Sequence, residues 1–293
     1  MHHNAAPTPN ASLPFVYFGT PRFATIVLDE LEAAGYTPAL IVTAPDKPKG
    51  RKLLLTPSEV KVWADERQIP TLTPSRLRDP EILAAIAAVH APLFIVAAYG
   101  KIIPKAILDL PEHGCLNVHP SLLPKFRGPS PIESALLSTE SETGVSIMLL
   151  DEETDHGPIV AQEVYAAAEW PMRGSVLTDA LAHAGGKLLA QVVAPWVATH
   201  TAVAQDHSQA TFTKKIVKED GLIDLAGDAL ENYKKIRAFD EWPGAYFFTE
   251  RNGKQIRVRV TDADYSDGVL TITRVIPEGK KEMPYADFLR GGH

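Results

Sequence analysis

Two residues suited to carbonyl chemistry, Asn117 and His119, are separated by a single valine. The surrounding run Cys115–Val118 predicts a short strand, on which side chains two positions apart point to the same face. An amide donates a hydrogen bond to a carbonyl oxygen as negative charge develops there, and an imidazole carries a proton near neutral pH. The pair is therefore a candidate site for attack on a carbonyl carbon, although the same residue types also occur where they only cap a turn.

A candidate partner for the histidine is Asp155, in a polar loop over 151–158 that contains a Gly-Pro pair. The loop follows a predicted strand at 145–150, so we expect it at the same edge of the sheet as Asn117 and His119. A carboxylate there would orient the imidazole and stabilise its charged form. The three acidic residues that begin the loop are interpreted as solvent-exposed charges.

The elements that would position these residues alternate between strands and helices. We predict strands at 15–18, 39–42, 93–97, 115–118 and 145–150, and helices at 22–34, 58–68 and 80–90. Such alternation is typical of a doubly wound parallel α/β sheet, which binds ligands beyond the carboxyl ends of its strands. The turn after the first strand has only Gly19 of the three glycines in a dinucleotide-binding motif, which argues against NAD or FAD.

The domain organisation follows from where this alternation stops. We predict a disordered N-terminal tail at 1–13, a catalytic domain at 14–195 and a polar linker at 196–213. Residues 214–293 would form a small C-terminal domain with a helix at 228–239 and strands at 245–249, 255–261 and 269–275. A helix with short, evenly spaced strands favours a barrel-like domain.

Composition excludes several classes of protein. The 293 residues are 45% hydrophobic and 22% charged, and no apolar run approaches the roughly 20 residues that span a bilayer. With Cys115 as its one cysteine, the chain can form neither an intrachain disulfide nor a cysteine-based zinc site. The lack of such an apolar run predicts no membrane association, and the single thiol suits a reducing compartment, so we expect a cytoplasmic protein. Because the net charge is -7, a polyanion would have to meet local basic clusters.

Two groups of basic residues are candidates for contact with phosphate. Four of the nine residues in the loop 44–52 are basic, namely Lys47, Lys49, Arg51 and Lys52. Arginine can hold a phosphate through two parallel hydrogen bonds, whereas the alternative is a solvated surface loop. Leu53, Leu54 and Leu55 follow, and we expect them to pack because exposed leucines are costly. For Lys214 and Lys215, contact with phosphate and a solvated face remain open.

The run Asn117–Pro124, followed by the Asp155–Gly157 loop, resembles the formyltransferases that use 10-formyltetrahydrofolate. Within that family, further segments are similar to the methionyl-tRNA formyltransferases: Phe18–Ala24, Pro45–Arg51, Pro57–Lys61, Ala98–Pro104, Arg127–Ile132, Lys215–Gly221 and Arg237–Gly244. The similarity extends from about Phe15 to Phe288 and keeps its order across both predicted domains, which is a stronger indication than any single motif.

The resemblance implies a Rossmann-like formyltransferase domain and an OB-fold-like C-terminal domain. We expect the C-terminal domain to be shortened, because residues 260–276 leave room for fewer strands than the family usually has. It implies formyl transfer from 10-formyltetrahydrofolate to initiator methionyl-tRNA, with Asn117 and His119 at the formyl group and Asp155 as the partner of His119. The folate site would be lined by one segment after the active strand and by backbone of another: Ser121, Leu122, Leu123, Pro124, Val96, Tyr99 and Gly100. The tRNA would contact the basic residues Lys47, Lys49, Arg51, Lys52, Lys214 and Lys215. The implied chemistry requires no metal, so we expect none, and we expect a monomer.

Two alternatives retain the same residues. A folate-dependent N-formyltransferase acting on a nucleotide-linked amino sugar would need Asn117, His119 and Asp155 but not the basic loop. A catalytically silent folate- or RNA-binding protein would bind folate and transfer no formyl group. The segments at 45–51 and 57–61 resemble the tRNA enzymes, and they favour tRNA as the substrate.

Overall fold

The computed structural model describes residues 13–49, 53–140, 142–251 and 253–291. They form two compact units that are discontinuous along the chain. The first comprises the described parts of Met1–Arg127, Thr143–Tyr165 and Asp179–Phe212, and the second those of Gly128–Glu142, Ala166–Thr178 and Thr213–His293. The contiguous domain boundaries stay a prediction, and all of the expected tail except Leu13 lies outside the described residues.

The strands of the first unit form a large sheet and a small hairpin. They are β1 (Phe15–Gly19), β2 (Leu40–Val42), β3 (Lys47–Lys49), β4 (Leu54–Thr56), β5 (Thr71–Leu72), β6 (Leu93–Ala97), β7 (Cys115–His119), β8 (Thr143–Leu149) and β9 (Ile159–Tyr165). Strands β3 and β4 pair only with each other, and the other seven lie in the order β5-β2-β1-β6-β7-β8-β9. The order reverses between β1 and β6, which is where doubly wound sheets bind ligands.

The sheet confirms the predicted fold class, with one difference in strand direction. Strands β5, β2, β1, β6 and β7 are parallel, whereas β8 pairs antiparallel with β7 and β9 pairs antiparallel with β8. An apolar run reads the same in either direction, so the sequence pattern could not reveal that β8 is reversed. The consequence is that the loop after β8 starts at the opposite edge of the sheet from the end of β7.

The helices are α1 (Arg22–Ala33), α2 (Glu59–Glu66), α3 (Pro80–Ala87), α4 (Lys105–Leu108), α5 (Pro131–Leu137) and α6 (Gly174–Thr199). The apolar residues of α1 recur at helical spacing and are buried, among them Phe23, Val27 and Leu31. Ser58 caps α2 by accepting a hydrogen bond from the amide of Lys61. Helix α6 continues four residues beyond Pro195, into the segment expected to be linker.

The second unit contains α5, α7 (Ala229–Ala238), α8 (Tyr285–Arg290) and four strands. Strands β10 (Tyr246–Arg251), β11 (Lys254–Ser266), β12 (Val269–Pro277) and β13 (Met283–Pro284) form an antiparallel sheet in chain order. Its core includes Ile236 of α7, Val258 of β11, Val275 of β12 and Phe288 of α8. The described residues of this unit give four strands, whereas an OB barrel has five, and the expected shortening of the domain stays a prediction.

Candidate active site

Asn117 and His119 lie on β7 with their side chains on one face of the sheet, because Val118 between them points to the other. Strand β7 pairs with β6 on one side and with β8 on the other, so its backbone is held from both sides. The Asn117 side chain is 8% exposed and that of His119 is 4% exposed. This burial keeps both polar groups in a fixed orientation and in a medium where electrostatic interactions are strong.

The ring of His119 has a hydrogen-bond acceptor at each nitrogen. Its Nε2 donates to the carbonyl oxygen of Phe126 at 3.1 Å, and its Nδ1 lies 3.6 Å from Oδ1 of Asp155. A carbonyl only accepts, so the proton of the neutral ring resides on Nε2. The Nδ1 atom therefore faces the carboxylate of Asp155, which orients the ring.

The route by which Asp155 reaches His119 differs from the one expected. The end of β8 lies beside the start of β7, because Leu149 pairs with Leu116. The loop 150–158 leaves and returns at that end, since the amide of Leu149 donates to the carbonyl of Pro158. The expectation that the loop emerges beside His119 is therefore wrong. Asp155 nonetheless faces the histidine, because the loop folds back along the sheet.

The residues predicted for the folate are held firmly by side chains that the sequence did not single out. Ser146 of β8 donates its hydroxyl to the carbonyl of Ser121 and accepts from the amide of Leu123, and Gln162 of β9 donates to the carbonyl of Leu123. The Ser121 hydroxyl donates a hydrogen bond to the carbonyl of Lys125. No sequence motif marks Ser146 or Gln162, because their contacts join residues 23 to 39 positions apart.

The side chains predicted to line the folate site differ in exposure. Those of Val96, Tyr99, Ser121 and Leu123 are buried. Leu122 and Pro124 are half-buried, and Gly100 is exposed. Burial raises the pKa of Tyr99 to about 12, and its ring packs edge-on against Phe18. Tyr99 and Val96 can thus offer a ligand mainly their backbone, and the folate roles of all seven residues stay predictions.

A cavity of about 430 Å³ opens at the other end of β7. The loop 150–158 forms one wall of it, and the beginning of β7 forms another. The lining comprises Lys105, Leu108, Asp109, Gly114, Cys115, Leu149, Leu150, Asp151, Glu152 and Glu153. None of the seven predicted folate residues is among these described lining residues. Carboxylates outnumber the one lysine in this lining. Hydrogen bonds and charge attraction from Asp109 and Glu152 raise the pKa of Lys105.

The basic residues predicted for tRNA are only partly described. Lys47 is exposed on β3, Lys214 and Lys215 are exposed in the second unit, and only the backbone of Lys49 is described. Arg51 and Lys52 lie outside the described residues. The expectation that the neighbouring leucines pack is wrong, since Leu53, Leu54 and Leu55 are 65–72% exposed. The hairpin thus presents an apolar edge to solvent.

Three further observations bear on the chemistry. Cys115 is a free, buried thiol, and burial raises its pKa to about 12. Across the described ranges, His, Cys, Asp and Glu side chains form no group of three or more that could hold a metal ion. Among the helices that the structure describes, none combines the length and the apolar character needed to cross a bilayer.

Comparisons with known proteins identify the family of this chain. Residues 13–193 match the formyl transferase family, and residues 215–267 match the formyl transferase C-terminal domain. A methionyl-tRNA formyltransferase from Chloroflexus aggregans is 40% identical over 95% of this chain and 97% of its own.

Solved structures show the same fold at lower identity. A methionyl-tRNA formyltransferase from Clostridium thermocellum matches with a TM-score of 0.57, at 16% identity, over 90% of this chain and 98% of its own. A sugar N-formyltransferase from Shewanella sp FDAARGOS_354 matches with a TM-score of 0.64, at 16% identity, over 87% and 99%. The family matches cover both parts of the chain, and the sequence relative covers nearly all of it: this chain belongs to the formyl transferase family.

Proposed function

We propose that this protein transfers the formyl group of 10-formyltetrahydrofolate to the α-amino group of methionine on initiator methionyl-tRNA. The observation that carries the proposal is the relative that is 40% identical over 97% of its own length and is named for that reaction. A sugar amine as acceptor is supported only by likeness of fold at 16% identity, and the same fold serves tRNA enzymes at the same identity.

The reaction needs placement and charge stabilisation more than a strong base. The α-amine of an aminoacyl ester has an ordinary pKa of about 8, so much of it is neutral in the cell. Its nitrogen forms a bond to the formyl carbon, and the π pair of the carbonyl moves onto oxygen. The Asn117 amide, on the same face of β7 as the His119 ring, would donate to that oxyanion, a contribution typically worth about 3 kcal/mol for one donor.

Collapse of the tetrahedral intermediate completes the transfer. The oxygen pair re-forms the carbonyl and the bond between the formyl carbon and N10 of the folate breaks. N10 gains one proton, and the new amide nitrogen loses one. We assign the transfer of that proton between the two nitrogens to the His119–Asp155 pair, whose Nδ1 and Oδ1 atoms are 3.6 Å apart. A positioned acid/base of this kind contributes on the order of 10²–10⁴ in rate.

The cavity beside the loop 150–158 is the candidate site for the bicyclic ring of the folate. Its volume of about 430 Å³ lies within the range of ligand pockets, and its wall is formed by residues only two to five positions before Asp155. The ring system carries amino and ring N–H donors, and the carboxylates of Asp109 and Asp151 are acceptors. The anionic glutamate tail would be repelled by the same groups and would point outward.

Filling the cavity tests this placement. Leu108→Trp should raise the KM for 10-formyltetrahydrofolate about tenfold or more, because a bulky side chain competes with the ring for a space it cannot share. The KM for methionyl-tRNA should change less than about twofold. A variant that folds and keeps its folate KM would place the ring elsewhere, at the segments 96–100 and 121–124. Leu225→Trp, at an exposed position in the second unit, is the control.

The exposed hairpin is the candidate contact for the acceptor end of the tRNA. Its root is fixed because Lys61 donates to both carboxylate oxygens of Asp46, at 2.8 and 3.0 Å. Burial lowers the pKa of Lys101, and the charge of Lys47 lowers it further, so two cations lie close enough to repel. An anionic phosphate would relieve that repulsion, while apolar leucines can wedge against base steps.

Further basic residues, the cellular location and the oligomeric state are also part of the proposal. We assign contacts with tRNA phosphates to Lys49, to Arg51 and Lys52, which follow it in the sequence, and to Lys214 and Lys215 in the second unit. The protein acts in the cytoplasm, as a monomer, where charged initiator tRNA and reduced folate are both present.

The decisive experiment is an acceptor comparison. The protein is incubated with 10-formyltetrahydrofolate and, in separate reactions, charged initiator tRNA, charged elongator methionyl-tRNA and a panel of nucleotide-linked amino sugars. Formylation of the initiator alone is the expected result. Transfer to a sugar amine with none to tRNA would show that the proposed substrate is wrong, while the assignment of the catalytic residues would stand. Folate binding without transfer to any of these acceptors would contradict the proposal that the protein is a formyl-transferring enzyme.

A further inference from the structure

We propose that Gln205 is a positioning residue for formyl transfer. It joins the backbone segment that contacts one nitrogen of His119 to the loop whose carboxylate faces the other nitrogen. The inference rests on the proposed function, because positioning has meaning only if the histidine takes part in catalysis. Gln205 lies in the stretch that the sequence predicted to be a polar linker, yet it is only 6% exposed.

One half of the Gln205 amide holds the segment at Phe126. Its Oε1 accepts two hydrogen bonds from the Arg127 guanidinium, at 3.1 Å from Nε and 2.6 Å from Nη2. Arg127 is 3% exposed and directly follows Phe126, whose carbonyl accepts from His119. The same segment is fixed by Thr211, whose hydroxyl accepts from the amide of Phe126 at 2.8 Å. Movement of Arg127 would therefore move the carbonyl that orients the histidine.

The other half of the amide holds the loop that carries Asp155. The Gln205 Nε2 donates to the carbonyl of Asp155 at 2.9 Å and to that of Gly157 at 2.7 Å. The two donors and the oxygen are all used, which fixes the orientation of the amide. The reversed orientation would place the amino group against a guanidinium and the oxygen against two carbonyls.

Both segments need such support because their backbones are strained. Asp155 has a φ of 48° and Phe126 a φ of 59°, in the left-handed region that residues with a side chain rarely adopt. At Gly157 a Cβ atom would lie 1.9 Å from the carbonyl oxygen of Leu149, so only glycine fits the turn. Strained conformations persist only where the surroundings hold them, and Gln205 supplies that restraint to both.

A second set of contacts keeps the loop in place if Gln205 is lost. Arg127 Nη2 also contacts Nδ1 of His207 at 2.9 Å, and the His207 ring stacks on that of His156 at 4.1 Å. His156 in turn donates to Asp151 at 2.7 Å. Loss of Gln205 should therefore shift Asp155 relative to His119 without unfolding the loop.

The test compares two substitutions with a matched control. Gln205→Glu keeps an acceptor for Arg127 but replaces the donating NH2 group with an oxygen that repels the carbonyls of Asp155 and Gly157. Gln205→Ala removes the whole link and serves if the first variant does not fold. Gln209→Ala is the control, because Gln209 is exposed on the same segment. We expect kcat to fall about tenfold or more in either Gln205 variant, with both KM values within about twofold.

Combination with Asp155→Asn separates positioning from a general loss of structure. If Gln205 acts through Asp155, its substitution should lower kcat less than about twofold in the Asp155→Asn background. An equal fold-loss in both backgrounds would overturn the proposal, as would a kcat in both single variants equal to that of Gln209→Ala.

A measurement on the ring keeps this test independent of activity. In protein labelled with ¹⁵N-histidine, we expect the Nε2 proton of His119 to exchange slowly and both ring nitrogens to shift in the Gln205 variants. Unchanged ring signals and unchanged exchange in both variants would contradict the proposal even if the wild type formylated no tRNA. Failure of the proposed function would instead show as absent transfer by the wild type, with the ring signals still sensitive to Gln205.

Discussion

His119 and Asp155 face each other at 3.6 Å, although the loop that carries Asp155 begins and ends at the far end of the strand that carries His119. Strand β7 is five residues long, so Cys115 at its start lies about 13 Å from His119 at its end. The loop must cover that distance along the sheet and return. A contact made in this way depends on what holds the loop, and not on strand pairing alone.

Replacement of Asn117 tests the oxyanion role directly. Asn117→Ala should lower kcat by on the order of 10²–10³, because one donor to the developing negative charge is lost. The KM for each substrate should change little, since the interaction strengthens only in the transition state. Steady-state formylation assays with both substrates varied provide the measurement, with Gln209→Ala as the control. A turnover close to that of the wild type would remove Asn117 from the mechanism.

The exposed hairpin should matter to tRNA and not to folding. Leu54→Ser should raise the KM for methionyl-tRNA about three- to tenfold, because an apolar contact of roughly 1 kcal/mol is lost. The folate KM and the thermal midpoint should stay the same, because Leu54 is 65% exposed. Val269→Ser, at an exposed position on β12, is the matched control. An unchanged tRNA KM, or a loss of thermal stability, would show that the leucines serve another purpose.

The buried thiol predicts how stability depends on pH. Burial raises the pKa of Cys115 to about 12, against about 9 in the unfolded chain. Below about pH 9 the stabilisation is fully present; between about 9 and 12 the unfolded state loses a proton that the folded state keeps, so stability falls. From pH 8 to pH 10 the wild type should lose about 1.5 kcal/mol more than Cys115→Ser in urea unfolding.

A thiol reagent checks the same inference independently. At pH 8 the native protein should react with a disulfide reagent far more slowly than the urea-unfolded protein, because the thiolate is the reactive form. Equal pH dependence of the two proteins in urea, or rapid labelling of the native chain, would contradict the burial of Cys115.

The Gly185 position should couple helix packing to the active strand. A Cβ atom at Gly185 would lie 2.5 Å from Cγ1 of Val118, the residue between Asn117 and His119. Gly185→Ala should therefore destabilise the protein by about 1–3 kcal/mol and also lower kcat, since β7 must shift. Thermal unfolding and turnover are both measured, with Lys187→Ala on the exposed side of α6 as the control. A thermal midpoint and a kcat equal to those of the wild type would mean that α6 moves to make room for the methyl group and that β7 stays in place.

Prediction from sequence succeeded where one residue pattern has one structural meaning. The apolar runs that became β1, β6 and β7 and the helical spacing of α1 and α7 were placed within a few residues. The hairpin of β3 and β4 was missed because its strands are only three residues long. The run of leucines suggested a buried segment, whereas these leucines are exposed. Strand direction was missed at β8 because burial patterns do not encode direction.

The amino-acid sequence determined the chemistry available to this protein. It placed an amide and an imidazole on one face of a strand, since alternation along a strand is a local property of the backbone. It also provided the carboxylate of Asp155, and the order of motifs along the chain identified the family.

Only the tertiary structure decided how those groups meet. It reversed β8, folded the loop 150–158 along the sheet, and buried Gln205 between Arg127 and the carbonyls of Asp155 and Gly157. These contacts join residues tens of positions apart in the chain, and local propensity carries no information about them. Long-range hydrogen bonds between buried groups therefore set the geometry of the site, while local patterning set its composition.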